Sequence, residues 1–73
     1  MIKLGIYKHY KGNIYEAIGI ASHSETLEKM VVYRSVKNQD IWVRPIYMWD
    51  EDVKLSDGSI VKRFQYIGDK NAE

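Results

Sequence analysis

A chain of 73 residues without cysteine is one domain at most, and neither disulfides nor a cysteine-based metal site can staple it. Its 11 basic and 10 acidic residues leave a formal net charge of +1, which is not the basic footprint of a dedicated nucleic-acid binder. No apolar run approaches the ~18 residues of a membrane span, and Met1-Ile2-Lys3-Leu4 opens directly on strand-like sequence, so a cytoplasmic protein with no signal peptide and no membrane partner is expected.

Residues 4–10 alternate and are rich in β-branched and aromatic side chains, which predicts a strand. Lys11-Gly12-Asn13 reads as a three-residue hairpin loop, since Gly and Asn tolerate positive φ. A second strand follows over residues 14–22. With that loop, Tyr10 falls opposite Ile14, His9 opposite Tyr15, Lys8 opposite Glu16 and Tyr7 opposite Ala17. The Lys8–Glu16 charge pair favours this register. One face then carries Gly5, Tyr7, His9, Tyr15, Ala17, Gly19 and Ala21, and the other Ile6, Lys8, Tyr10, Ile14, Glu16, Ile18 and Ile20. Small residues between aromatics suit the inside of a curved sheet, but the isoleucine face is apolar too, and pattern alone does not rank them.

A third strand is expected over residues 28–36, centred on Met30-Val31-Val32-Tyr33. A short helix over residues 24–30 competes, because Ser22 and Glu25 have capping-box spacing. Lys37-Asn38-Gln39-Asp40 is a turn. Residues 41–44 form a fourth strand, whose pairing Pro45 stops. Residues 46–52 have room for one helical turn, and residues 53–55 resume extended chain. Ser56-Asp57-Gly58-Ser59 is a strong turn, and residues 60–67 close the domain as a last strand. Such short strands and tight turns predict an all-β fold: a small SH3-like barrel or roll of about five antiparallel strands with one short helical turn. It spans residues 1–68 and is followed by a polar tail at 69–73. Barrel closure would also remove exposed sheet edges.

Two histidines and a carboxylate, His9, His23 and Glu25, could hold a zinc-like ion if they converged. Their spacing matches no metal motif, and histidines hydrogen-bonded to backbone or Tyr are the plainer alternative. His23, Ser24 and Glu25 are the residue types of a hydrolase triad, but adjacent residues seldom face one another and no G-x-S-x-G is present. A local turn, with Ser24, Glu25 and Thr26 satisfying backbone N–H groups, competes with a ligand-recognition loop. Arg44, in Trp42-Val43-Arg44-Pro45, and Arg63, in Lys62-Arg63-Phe64, could each clamp an anion bidentately or pair with Glu25 or Glu28 to hold the loop. Six Tyr and two Trp exceed what a domain of this length needs to expose, so most belong to the core.

These residues resemble a bacterial family of unknown function, DUF1653, over residues 5–64. The resemblance rests on Gly5-Ile6-Tyr7-Lys8-His9-Tyr10-Lys11-Gly12-Asn13, on Tyr15, and on Ala21-Ser22-His23-Ser24-Glu25-Thr26-Leu27-Glu28. It continues through Val32-Tyr33-Arg34, Trp42-Val43-Arg44-Pro45 and Arg63-Phe64. The chain departs from the pattern at Trp49, where Phe is usual, and at Ala17, where Val is usual; both are packing positions. The resemblance implies an SH3-like β roll and no established activity, substrate or cofactor. It singles out His9, Tyr15, His23, Ser24, Glu25, Thr26, Trp42, Arg44 and Arg63.

The expected function is a non-enzymatic binding module. In it the loop at 23–28, flanked by Arg44 and Arg63, recognises a small anionic ligand or a partner segment. A metal-assisted or acid–base hydrolase built on His9, His23 and Glu25 is the alternative. A third reading is an oligomer that buries an Ile6/Ile14/Ile18/Ile20 face against a copy of itself.

Overall fold

The computed structural model describes residues 2–69; the tail expected at 69–73 lies outside them beyond Asp69. The elements are β1 (Gly5–His9), β2 (Ile14–Ser22), β3 (Lys29–Ser35), β4 (Ile41–Pro45), α1 (Ile46–Trp49), β5 (Asp52–Lys54), β6 (Ile60–Lys62) and β7 (Phe64–Gly68). A five-stranded antiparallel sheet runs β4-β3-β2-β1-β7, and β5 and β6 pair as a separate ribbon. The mostly β architecture expected from the alternation is therefore what the chain adopts. The expected last strand is split, because the chain changes sheets at Arg63. Its N–H donates to the Glu51 carbonyl at 2.9 Å, and its carbonyl accepts from the Tyr10 N–H at 3.0 Å. The large sheet also keeps two edge strands, β4 and β7.

The hairpin turns are of two kinds, and each sets a register. In the first kind a Gly with positive φ closes a three-residue loop. Gly12 (φ 108°) donates to the His9 carbonyl at 2.8 Å, and Gly58 (φ 90°) donates to the Leu55 carbonyl at 3.0 Å. In the second kind a four-residue loop ends on a left-handed non-Gly residue, Leu27 (φ 64°) or Gln39 (φ 67°), whose N–H reaches back to His23 or Ser35 at 2.8 Å. Residues 24–30 are thus a turn running into a strand, and not a helix.

The first loop corrects the expected register. It is Tyr10-Lys11-Gly12, closed by His9 and Asn13, so Tyr7 lies opposite Tyr15, Ile6 opposite Glu16 and Lys8 opposite Ile14. Glycine must occupy the left-handed position, where an L side chain costs about 1–2 kcal/mol. An exposed cross-strand charge pair offers only about 0.2–1 kcal/mol, so the turn wins. Glu16 instead faces Arg34 on β3 and forms an ion pair with it. The shift is two positions, so the faces keep their side chains, and the tyrosine face is the deeper one.

That face does not run the length of β2. A bulge between Ala17 and Gly19 places Ala17 opposite Tyr33 and Gly19 opposite Val32. Ile18 is the extra residue and is 40% exposed, while Ile20 turns inward opposite the fully buried Val31. The expected continuous isoleucine face is therefore divided, with Ile20 packed on the core. An oligomer built on that stripe loses its footing.

Tyr7, Ala17, Val31, Tyr33, Trp49 and Phe64 form the core. Pro45 (φ −53°) starts α1, and the single turn delivers Ile46 and Trp49 to that core. The Trp49 indole stacks on Phe64 at 3.9 Å between centroids, with planes 5° apart. Tyr7 and Tyr33 meet the indole edge-on at 5.1 and 4.9 Å, the geometry aromatic quadrupoles favour. Where β1 meets β7 the backbones close tightly: a Cβ on Gly5 (φ 140°) would sit 2.7 Å from the Gly68 carbonyl oxygen. Among the described residues no helix is long and apolar enough to cross a membrane.

Candidate functional site

The structure divides the nine singled-out residues between the two ends of β2. His23, Ser24, Glu25 and Thr26 sit in the exposed turn after it, while His9 and Tyr15 lie near its start, close to Arg63, Trp42 and Arg44. The nine residues of β2 separate the two turns by roughly 30 Å at ~3.3 Å per residue.

The 23–28 turn is held by its own side chains. The His23 Nδ1 accepts the N–H groups of Glu25 at 3.1 Å and Thr26 at 3.3 Å. Thr26 Oγ1 accepts the Glu28 N–H at 3.2 Å. His23 thus plays the part that Asn or Asp plays at many turns, offering an acceptor to the backbone two and three residues on. His23→Ala is expected to lower stability by about 1 kcal/mol, and His23→Asn to restore most of it, in urea unfolding monitored by circular dichroism. Equal losses for the two variants would count against the capping role.

His9 uses its Nδ1 in the same way, accepting the Lys11 N–H at 3.2 Å. Its ring lies among Tyr10, Phe64 and Tyr15, at 4.7, 5.0 and 6.3 Å. Burial pushes the imidazole below its ordinary value, and the cations of Arg63, Arg44 and Lys11 add to the effect. The unfolded chain therefore takes up this proton more readily than the folded one. The associated stability is complete above the ordinary histidine value of about 6.5 and declines as pH falls through it toward the lower folded value. Wild-type melting temperature should fall between pH 8 and pH 5.5 more than that of His9→Asn, which keeps the turn acceptor and does not titrate. Parallel pH curves for the two proteins would refute this.

The two arginines near His9 are in different states. Arg63 is committed: its Nε and Nη2 bond to Glu51 Oε1 at 3.0 and 2.9 Å. Arg44 is not. Its guanidinium carbon lies 5.5 Å from the centre of the Phe64 ring, and its Nε is buried with no hydrogen-bond partner among the described residues. No carboxylate among the described residues forms an ion pair with it.

Strand pairing explains the placement. Trp42 lies opposite Tyr33 and Arg44 opposite Val31, so both β4 side chains share the core face at the open side of the sheet. There an open cleft of about 730 Å³ is lined by Tyr15, Tyr33, Ser35, Lys37, Trp42 and Arg44, and its other lining residues are uncharged. Its charge is cationic and its walls are flat rings. A second cleft of about 540 Å³ lies against Tyr7, Trp49 and Tyr66. Its one cation among the described residues, Lys62, is already engaged by Asp50 and Asp52, both at 3.3 Å.

Tyr33, Ser35 and Lys37 were not singled out from the sequence. A turn of Lys37-Asn38-Gln39-Asp40 would set Tyr33 opposite Arg44; the loop is instead residues 36–39, closed by Ser35 and Asp40, and it sets Tyr33 opposite Trp42. The hydrolase and metal reading required His9 to meet His23 and Glu25, and the length of β2 keeps them apart. Among the described residues no three His, Asp or Glu side chains gather as a metal site would need.

The family model described as "Protein of unknown function (DUF1653)" matches residues 5–66. A crystal structure of a DUF1653 protein from Bordetella bronchiseptica is similar at a TM-score of 0.85 and 35% identity, over 99% of this chain and 95% of that one. No curated protein matches the chain.

Proposed function

The chain belongs to the DUF1653 family, described as being of unknown function, and from its own side chains we propose that it is a non-enzymatic binding module for an anion-bearing ligand. The site is the cleft of Tyr15, Tyr33, Trp42 and Arg44. The observation that carries this reading is the Arg44 guanidinium, which has no carboxylate partner among the described residues and lies beside the Phe64 ring. A half-buried, fully charged group is costly to leave unmatched, and a guanidinium fork suits the two oxygens of a carboxylate or phosphate. Lys37 on the rim adds attraction, and Tyr15, Tyr33 and Trp42 offer ring faces and edges to a flat or apolar body attached to the anion.

Benzoate and inorganic phosphate are suitable probes. Titrated into isotope-labelled protein, they should shift backbone amides of residues 33–37 and the Trp42 indole, and leave the 23–28 turn unmoved. Shifts centred on the 23–28 turn, or none at millimolar probe, would reject the cleft as the site.

A further inference from the structure

Resting on that reading, we infer that the ligand is an extended acidic protein segment that adds to the sheet as a strand beside β4, with a carboxylate reaching Arg44. Two features of β4 carry this beyond the cleft. The first is its backbone. The Ser35 N–H donates to the Asp40 carbonyl at 2.9 Å where the β3–β4 turn closes, which makes this a hydrogen-bonded site of the ladder, and such sites alternate along antiparallel strands. Trp42 and Arg44 therefore bond inward to Tyr33 and Val31, and the N–H and C=O groups of Ile41 and Val43 point to the open side. Pro45, which has no N–H, also falls on the open side, where its missing donor costs nothing. β4 is an edge of the sheet, and Ile41, Trp42 and Val43 are 63%, 52% and 59% exposed.

The second feature is how few of the devices that usually blunt an edge it carries: Pro45 closes its last position and Arg44 points inward, but it has no bulge and no lysine. The other edge, β7, is kinked by a register shift where β1 crosses from Ile6 to Tyr7. The β3–β4 pairing runs without a bulge from Arg34–Ile41 to Met30–Pro45. No lysine stands on β4, and its one charged side chain, Arg44, lines the cleft. An edge that is straight and apolar from Ile41 to Val43, and whose inward guanidinium has no carboxylate partner among the described residues, can accept a strand that brings the counter-charge.

Register then defines the occupant. A residue opposite Val43 points outward, with Val43. Its neighbours point into the cleft, one toward Trp42 and one toward Arg44, at the ~4.5–5.5 Å spacing of cross-strand Cβ atoms. The preferred segment places an acidic residue opposite Arg44, between apolar residues opposite Val43 and Pro45. Charge complementarity separates it from a second copy of this chain, which would bring a second Arg44 to the same edge.

The probe is the peptide acetyl-Thr-Val-Glu-Val-Thr-amide, with Lys replacing Glu as the charge control, added to the full labelled chain. The Glu peptide should slow amide hydrogen exchange at Ile41 and Val43 and shift the Trp42 indole. The Lys peptide should bind about tenfold or more weakly, since a charge-assisted bond is lost. Val43→Pro, at a position whose N–H points away from β3, should abolish the peptide response and keep the benzoate response. If that variant fails to fold, peptides N-methylated at each Val in turn give the same test on wild-type protein. A benzoate response with no protection of Ile41 and Val43 would overturn the strand-addition inference and leave the anion site standing. No response to either probe would sink both. Protection of Ile41 and Val43 in the free protein, with a doubled mass by light scattering, would overturn the inference in favour of self-pairing.

Discussion

Trp49→Ala is expected to remove most of the stability of this protein. Trp49 is 1% exposed, stacks on Phe64 at 3.9 Å and receives Tyr7 and Tyr33 edge-on. It is also the buried residue of α1, so its loss leaves Ile46 to hold that helical turn against the core. A buried Trp→Ala change costs about 3–5 kcal/mol, against a total of roughly 4–11 kcal/mol for a chain of this length at ~0.05–0.15 kcal/mol per residue. The melting temperature should drop by about 15 °C or more, and a large unfolded fraction should be visible by circular dichroism at 37 °C. Trp49→Phe keeps a ring against Phe64 and should cost much less, in keeping with the Phe that the family resemblance leads one to expect at this position. A shift below about 5 °C for the alanine variant would mean that the aromatic stack is not the centre of the fold.

How far the sequence discloses this arrangement depends on what decides each feature. Alternation is a local property, so the Gly5, Tyr7 and Ala17 face, the turn at Ser56-Asp57-Gly58-Ser59 and the helical turn after Pro45 could be read directly. The β1–β2 register hung on which loop residue takes positive φ. The Lys8–Glu16 pair points to one closing pair, and the backbone demand at Gly12 enforces another. The bulge at Ile18 leaves no pattern, since Ile-Gly-Ile-Ala is as consistent with unbroken alternation as with a switch of face. The break at Arg63 was hidden because Lys62-Arg63-Phe64 continues the strand-like composition on both sides.

The site was legible in parts for a related reason. His9, Tyr15, Trp42 and Arg44 could be named from residue type and resemblance, but their separation from His23 and Glu25 is set by the length of β2. Likewise Arg44 and Arg63 look alike in sequence, each beside an aromatic residue. Only the return of the chain through β5 and β6 puts Glu51 against Arg63 and leaves Arg44 without a carboxylate among the described residues.

That difference between the two arginines makes Arg44→Leu the most informative change in the cleft, because stability and binding should move in opposite directions. Leucine keeps apolar contact with Phe64 and removes a buried Nε that has no partner. Relief of an unsatisfied polar group is worth about 1–3 kcal/mol, set against an arginine–ring attraction of about 0.5–1 kcal/mol. The variant should therefore melt at the wild-type temperature or a few degrees above it. Its affinity for benzoate should fall at least about tenfold, the loss expected when a charge-assisted hydrogen bond disappears. Arg44→Lys keeps the charge without the planar fork and should fall between the two. Arg63→Leu makes the contrast, since it strands Glu51 and should cost stability while touching benzoate binding far less. Trp42, 52% exposed where Trp49 is 1%, gives a fluorescence readout in a Trp49→Phe background. An Arg44→Leu protein that melts well below wild type and still binds benzoate would make this guanidinium a structural group, and the reading of the cleft as a binding site would fall with it.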